Sequence, residues 1–339
     1  MRKEIVWVVA VGIALGLIVA FGFYRINSSV TKGTGTPQPS SSPKSGNPEL
    51  KITLDKPENN DVVTQNSVTV SGITKPLAWI TVSGEEDDYI IQADDSGVFT
   101  QDVDLIPGIN QIKLTAFDSS GNENVGKVLV VYSSSFVTMA VSTPKPEEST
   151  TGSSEIRLKV AQKVEAAMNR PKAFIGTVTD ITDSTIQIKT GEIQIEQISV
   201  GADNITVIKA TGTTSKTVKL TDIAIGDFIV AMGYVNSNSV LNAQRILITN
   251  PVTESKINAT FGKVTDISKK NITVTGPKDN RATSVTPGKN TSFVSYFSGK
   301  TSAVKLASIG NGDSVIYVTD NSQTTPVIRA IFVITKSQG

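Results

Sequence analysis

The hydrophobic pattern of the chain changes from one long apolar run to many short alternating runs. The long run is Ile5–Tyr24 and contains no charged side chain. As a helix it would be about 30 Å long, which matches the hydrocarbon thickness of a bilayer. It therefore predicts a transmembrane signal-anchor at residues 5–24 after a cytoplasmic stub at residues 1–4. The alternative is a cleaved signal peptide, although the run exceeds the usual apolar core of about 7–15 residues.

Two segments, residues 25–49 and 134–154, are rich in Ser, Thr, Pro and Gly. They offer little apolar surface to bury, so we expect them to be disordered linkers. Residues 155–170 follow the second linker and carry apolar side chains at helical spacing, from Ile156 to Met168. This spacing predicts an amphipathic helix that packs on the next β-domain; a membrane-surface or partner helix is the alternative.

Residues 50–133 contain seven short alternating runs, separated by turns rich in Pro, Gly, Asn and Asp. Strands with one apolar face each are typical of a sandwich of two antiparallel sheets. We expect Trp79, in the third run, to fill the space between the sheets. The predicted strands are Leu50–Leu54, Ser67–Gly72, Leu77–Ser83, Asp88–Ala93, Val98–Asp104, Gln111–Phe117 and Gly126–Tyr132.

The last part of the chain repeats itself at a spacing of 86 residues. The segment Gly176–Ile181 recurs as Gly262–Ile267, and Leu220–Asp227 recurs as Leu306–Asp313. Two matching segments at one spacing predict a duplicated domain. Its copies span residues 171–250 and 257–336.

Each copy contains about six short strands, which predicts a small closed barrel because closure removes exposed sheet edges. The Gly-Asp pair at 226–227, repeated at 312–313, is expected to make a tight turn into the next strand. The predicted strands of the first copy are Ala173–Ile181, Thr185–Thr190, Ile193–Val200, Thr206–Lys209, Phe228–Tyr234 and Val240–Ile248.

Composition narrows the possible functions. The 339 residues include no cysteine and no histidine, so disulfides, thiolate metal sites and histidine-based catalysis are excluded. We therefore expect no enzyme activity and no cofactor, although carboxylate-pair and Ser–Lys chemistry remain formally open. The balance of 32 basic and 31 acidic residues argues against nucleic-acid binding.

Candidate ligand-binding residues fall in two places. Carboxylates near predicted hairpin turns, Asp87, Asp88, Asp94 and Asp95, are candidate calcium ligands because calcium binds oxygen ligands on loops. The alternative is that these carboxylates are solvated turn residues that block edge pairing. The adjacent aromatic residues Tyr296 and Phe297 are the candidates for a sugar-binding surface. No catalytic residue is predicted.

Two regions resemble known families. The segments SGITKPLAWITVSG and DDSGVFTQDVDLIPGINQIKLTAFDSSGNENVGKVLVVY resemble the bacterial Ig-like modules related to domain B of glucodextranase. That resemblance implies an Ig-like sandwich with a spacer, adhesive or accessory role. The pattern G-x-V-T-x-I followed by L-x-x-I-x-x-G-D in both copies resembles exported DUF5666-like, OB-like barrels. That second resemblance implies a fold and no activity.

The predicted fold class is mainly β, with an N-terminal transmembrane helix, an Ig-like sandwich, one amphipathic helix and two tandem OB-like barrels. The predicted function is that of a membrane-anchored, extracytoplasmic structural or adhesive envelope protein without catalysis. The alternative is a carbohydrate-binding accessory protein, and a carboxylate-based hydrolase is a third hypothesis. The expected partners are the membrane, through Ile5–Tyr24, and a protein or cell-envelope polysaccharide, not nucleic acid.

Overall fold

The computed structural model describes residues 50–136, 170–201, 205–211, 214–278 and 280–335. All described residues belong to one compact unit, Pro48–Gly339. The described residues do not include the predicted transmembrane segment 5–24 or the linker 25–49. They include only residues 134–136 of the second linker and residue 170 of the predicted amphipathic helix. Within the described ranges, no helix is long and apolar enough to cross a membrane.

The first module is a β-sandwich of eight strands, which confirms the Ig-like prediction for this region. A three-stranded sheet has the order β1-β3-β6, and a second sheet runs β2-β8-β7-β4-β5. Alternate apolar side chains such as Ile80, Leu114 and Val130 face each other between the sheets. The strands are β1 (Thr53–Lys56), β2 (Asp61–Val63), β3 (Ser67–Ile73), β4 (Trp79–Ser83), β5 (Asp88–Gln92), β6 (Val98–Asp104), β7 (Gly108–Phe117) and β8 (Glu123–Tyr132).

The two copies form seven strands each, and equivalent strands recur at the spacing of 86 residues. For example, Thr185–Lys189 recurs as Asn271–Thr275, and Thr206–Thr211 recurs as Ser292–Phe297. The first copy has β9 (Lys172–Ile181), β10 (Thr185–Lys189), β11 (Ile195–Ser199), β12 (Thr206–Thr211), β13 (Thr214–Val218), a 3-10 turn (Leu220–Asp222), β14 (Phe228–Val235) and β15 (Leu241–Thr249). The second has β16 (Ile257–Ser268), β17 (Asn271–Thr275), β18 (Ala282–Val285), β19 (Ser292–Phe297), β20 (Lys300–Ala303), a 3-10 turn (Leu306–Ser308), β21 (Ser314–Asp320) and β22 (Val327–Thr335).

The repeated motif residues have a structural role in both copies. A side chain at Gly176 would collide with the carbonyl oxygen of Lys189, and one at Gly262 with Val274 and the carbonyl of Thr275. The Gly-Asp turns also match. Gly226 and Gly312 have φ of 95° and 89°, and the carboxylate after each accepts a backbone N–H three residues before it, at 2.9 Å. This confirms the predicted turn chemistry.

The prediction of two separate OB-like barrels is wrong. In the first copy the sheet does not stay within the module, because β9 pairs with β2 of the sandwich and makes one continuous twelve-stranded sheet. In the second copy the sheet is open, with the order β18-β17-β16-β21-β22-β19-β20. In the first copy β11 reaches β15 through two parallel residue pairs, whereas β18 makes no such pairing with β22 in the second.

The physical reason lies in how the edges are protected. The barrel prediction assumed that exposed edges require closure, but the end strands β13, β18 and β20 are short and mostly polar and exposed. Short, polar edge strands do not readily pair with another chain, and β13 and β20 each also carry a lysine, so the sheet does not have to close into a barrel. The C-terminal part is therefore a β-solenoid-like arrangement rather than two OB-like barrels: the first copy continues the sandwich sheet through β9 and β2, and the second copy forms a separate open sheet.

Candidate functional site

One strand of the sandwich, β7, organises the contacts of all three modules. Its even-numbered residues, including Ile112 and Leu114, face the sandwich core. Its odd-numbered residues face outward: Ile109 packs with the first copy, and Phe117 packs with the second. The outer face of the larger sandwich sheet is therefore covered at both ends of this strand.

The two copies pack on the sandwich with equivalent faces. The first copy covers Val62, Val131 and Phe136 of the sandwich, and the second covers Ile90 and Phe117. Four packing residues of the first copy have a counterpart in the second interface 86 residues later. The pairs are Ala173 and Ala259, Ile175 and Phe261, Val230 and Ile316, and Met232 and Val318.

Trp79 lies in the second of these interfaces, so the prediction that it packs between the sandwich sheets is wrong. In β4 the neighbours Ile80 and Val82 occupy the sandwich core, and the side chain of Trp79 points to the opposite face. There its ring meets Tyr296 edge-on, with the ring centroids 5.0 Å apart. The buried polar residues Thr81 and Ser83 share this outer face.

The acidic hairpin between β4 and β5 anchors the second copy. Arg329 donates to the carboxylate of Asp88 at 2.8 Å and to the carbonyl oxygens of Gly84 and Glu85 at 3.0 and 3.1 Å. Arg329 is the extra residue of a β-bulge in β22, which aims its side chain at the hairpin. Burial raises the pKa of Asp88, and the neighbouring charge of Arg329 only partly offsets that effect.

The four candidate calcium ligands occupy different environments. Asp88 is paired with Arg329, and Asp94 accepts the backbone N–H groups of Ser96 and Val98 at 2.8 Å within its own turn. Asp87 and Asp95 are exposed. Across the described ranges no group of three or more carboxylates is close enough to hold a metal ion.

These environments lead to an expected result for chelation. Because two of the four carboxylates already have protein partners, we expect EDTA to leave the melting temperature of the protein unchanged within about 1 °C. Differential scanning calorimetry with 1 mM calcium and with excess EDTA measures this. A decrease of several degrees on chelation would show that calcium contributes to stability.

Asp118 stabilises the turn between β7 and β8. Burial alone would raise its pKa, but hydrogen bonds from Asn122 and Lys75 and the charge of Lys75 outweigh burial and lower the pKa to about 2. Because the ordinary value is 3.8, the unfolded chain binds this proton more tightly, so the stabilisation is present above about pH 4 and is lost towards pH 2.

We expect Asp118→Asn to lower the free energy of unfolding by about 1–2 kcal/mol at pH 7, because the charged acceptor is lost. The difference from the wild type should shrink as pH falls to 2. Urea unfolding at pH 7, 4 and 2 checks this expectation. A difference that does not depend on pH would contradict the role of the ionised carboxylate.

The two candidate aromatic residues are separated by the alternation of β19. Tyr296 is partly buried in the interface with the sandwich, where it contacts Trp79. Phe297 points the other way and is 43% exposed. The structure therefore does not bring the two rings together on one exposed surface.

A groove opens above the middle of β7 and β8, between the first copy and the segment that joins the copies. Two adjoining clefts of about 480 and 340 Å³ form it, and they share Asn59, Gln111, Leu129, Glu192 and Glu254. The sandwich supplies the floor, and the turn between β10 and β11 supplies one wall. The segment that joins the copies, residues 250–257, supplies the other wall.

Polar side chains of β7 and β8 fix the joining segment over the sandwich. Gln111 donates to the carbonyl of Thr253 at 2.8 Å and accepts the N–H of Ser255 at 3.1 Å. Lys113 donates to the carbonyl of Ile257 and to Asn258, and Lys127 forms an ion pair with Glu254. The shape of the groove is therefore held by specific hydrogen bonds.

The acidic wall of the groove was not predicted from the sequence. In the segment EIQIE, Glu192, Gln194 and Glu196 alternate with isoleucines and all three line the second cleft. Burial and the nearby charge of Glu192 raise the pKa of Glu196. The equivalent positions of the second copy hold Lys278, Asn280 and Ala282. Comparing the two copies position by position could have revealed this reversal of charge.

Comparison with solved structures gives only remote likeness. A carbohydrate acetylesterase from Xanthomonas citri is 22% identical over 25% of this chain and 19% of its own, with a TM-score of 0.19. A tetra-tandem repeat from the extending region of a large adhesion protein is 13% identical over 84% and 73%, with a TM-score of 0.22. A Ca²⁺-stabilised adhesin with which an Antarctic bacterium binds ice is 15% identical over 85% and 74%, with a TM-score of 0.18.

The chain spans about a fifth of the length of the acetylesterase. At these TM-scores the likeness supports no argument about function. No curated protein matches the chain. Residues 48–133 match the family described as glucodextranase, domain B, whereas the likeness of the copies to DUF5666 domains stays a prediction. The sandwich module is therefore similar to that family, in agreement with its Ig-like fold.

Proposed function

We propose that this protein is a membrane-anchored, extracytoplasmic structural or adhesive protein that presents its β modules as one stiff block, without catalysis. The observation that carries the proposal is the use of equivalent faces by both copies to pack on a single sandwich sheet. Modules joined only by linkers would move independently, whereas modules with shared apolar interfaces move together.

Electrostatic and hydrogen-bonding contacts support the same arrangement. Arg329 ties the second copy to the acidic hairpin, and Lys172 of the first copy pairs with Glu58 and Asp61 of the sandwich at 2.7 Å. The apolar run Ile5–Tyr24 supplies the anchor in this proposal, and the Ser/Thr/Pro-rich segment 25–49 supplies a tether. A block held away from the membrane in this way suits contact with another surface.

Cell fractionation tests the anchoring. We expect the full chain, produced in bacterial cells, to sediment with membranes and to require detergent for release, because its apolar run spans the bilayer. A variant that lacks residues 5–24 is the control and should not sediment. Protease added outside spheroplasts should digest residues 48–339. Full-length protein in the soluble cytosolic fraction would contradict the proposal.

A carbohydrate-binding accessory role is the second candidate function. The groove favours it, because amide and carboxylate side chains line an open cleft beside apolar residues, which is the lining expected for a site that binds a small polar ligand.

A further inference from the structure

We propose that the groove above β7 and β8 binds an oligosaccharide that carries primary ammonium groups, with Glu192 and Glu196 as its anionic contacts. This inference rests on the proposed surface-binding function and names the site and the ligand class. The site is built by three parts of the chain: the sandwich floor, the β10–β11 turn and the joining segment 250–257.

The charges of the groove select a cationic ligand. Of its two lysines, Lys127 pairs with Glu254, whereas Lys113 keeps its charge and donates hydrogen bonds to Ile257 and Asn258. The three glutamates of the lining therefore outnumber the two lysines. Within the described part of the chain no basic side chain pairs with Glu192 or Glu196. The nearby charge of Glu192 helps to raise the pKa of Glu196, so an ammonium group placed between them would relieve their repulsion.

The remaining lining fits a sugar better than an extended peptide. A peptide that binds by strand addition needs a free sheet edge, but β7 and β8 are interior strands with paired neighbours on both sides. Gln194 lines the second cleft and offers its exposed side-chain amide to hydroxyls. Ile175 and Phe228 supply apolar surface for ring faces.

The two glutamates of the groove are not part of the repeated sequence, because the second copy has other residues at the equivalent positions. The turn between β17 and β18 is equivalent to the turn between β10 and β11, yet Lys278 and Ala282 replace the two glutamates there. The carboxylates therefore occur only in the copy whose turn forms the groove wall. Their position is specific to the groove.

Titration calorimetry of the full chain in nonionic detergent, with a β-1,4-linked glucosamine tetramer as the probe, tests the inference at pH 7 and low salt. We expect binding of the wild type that weakens about tenfold in Glu192→Gln/Glu196→Gln, because two charge-assisted contacts are lost. The matched control is Asp180→Asn/Asp183→Asn, which removes two exposed carboxylates of the same copy outside the groove and should bind like the wild type. Affinity should also fall at 0.5 M salt.

Two further probes decide between ligand classes. The N-acetylated tetramer and a galacturonate tetramer should bind at least tenfold more weakly than the amine-bearing probe. The proposal is overturned if the glucosamine tetramer does not bind, if the double glutamate variant binds it equally well, or if tetralysine binds as tightly through the same glutamates. Fractionation of Glu192→Gln/Glu196→Gln with membranes separates failure of this inference from failure of the proposed anchoring.

Discussion

Replacing Arg329 with methionine is expected to lower the free energy of unfolding by about 3–5 kcal/mol at pH 7, since it leaves a buried carboxylate without its partner. The side chain of Asp88 is only 4% exposed, and that of Arg329 is 16% exposed. Arg329 also satisfies the carbonyl oxygens of Gly84 and Glu85, which would lose their donor. Urea unfolding followed by circular dichroism measures the loss.

The loss of stability caused by Arg329→Met should depend on pH in one direction. Burial already raises the folded-state pKa of Asp88, so the folded chain binds this proton more tightly than the unfolded chain. The cost of ionised Asp88 therefore appears as pH rises above about 4, and it becomes larger once Arg329 is gone. The loss caused by Arg329→Met should accordingly shrink below pH 4. A loss of equal size at pH 3 and pH 7 would contradict this explanation.

Two variants control for the loss of charge and of side-chain volume. Lys127→Met breaks an ion pair whose members are 63% and 73% exposed, so it should cost at most about 1 kcal/mol. Replacing both members of the buried pair, Arg329→Met with Asp88→Leu, should recover much of the lost stability because no unpaired charge remains.

Phe332→Ala is expected to lower the free energy of unfolding by about 3–5 kcal/mol, because it removes a large side chain from a filled interface. Phe332 is 1% exposed and packs in the cluster that joins the second copy to the sandwich. Guanidinium unfolding measures the change, and limited proteolysis should cut the variant in the joining segment 250–257, which leads into the second copy.

The matched control is Phe297→Ala in the same copy. Because Phe297 is 43% exposed, truncation should change stability by less than about 1 kcal/mol. If Phe332→Ala loses as little stability as Phe297→Ala, the contact between the second copy and the sandwich contributes little, and the block is less stiff than proposed.

Local structure could be predicted well from the sequence. Alternation predicted seven of the eight strands of the sandwich because each has one face in the core, as in Ile80 and Val82 of β4, whereas the three-residue strand β2 was missed. The spacing of 86 residues predicted the duplication, and the Gly-Asp pairs predicted its turns. These features depend on residues that are close in the chain, so a single sequence contains the information.

The contacts between modules could not be predicted in the same way. Trp79 was expected between the sandwich sheets, although apolar residues on both faces of β4 and β7, including Phe117, indicate that both faces are covered. The strand β13 was missed because all its residues are polar except Val218. The role of Arg329 depends on a bulge and on a hairpin 241 residues earlier, which no local pattern reveals.

The equivalent faces of the two copies have a consequence for how the duplication has diverged. Each face now fits its own part of the sandwich, with Ile175 and Val230 on one and Phe261 and Ile316 on the other. The two copies retain equivalent strands, but their interface side chains differ, so one copy could not replace the other. Exchanging them would place the larger phenylalanine where isoleucine fits and would leave the acidic hairpin without its arginine.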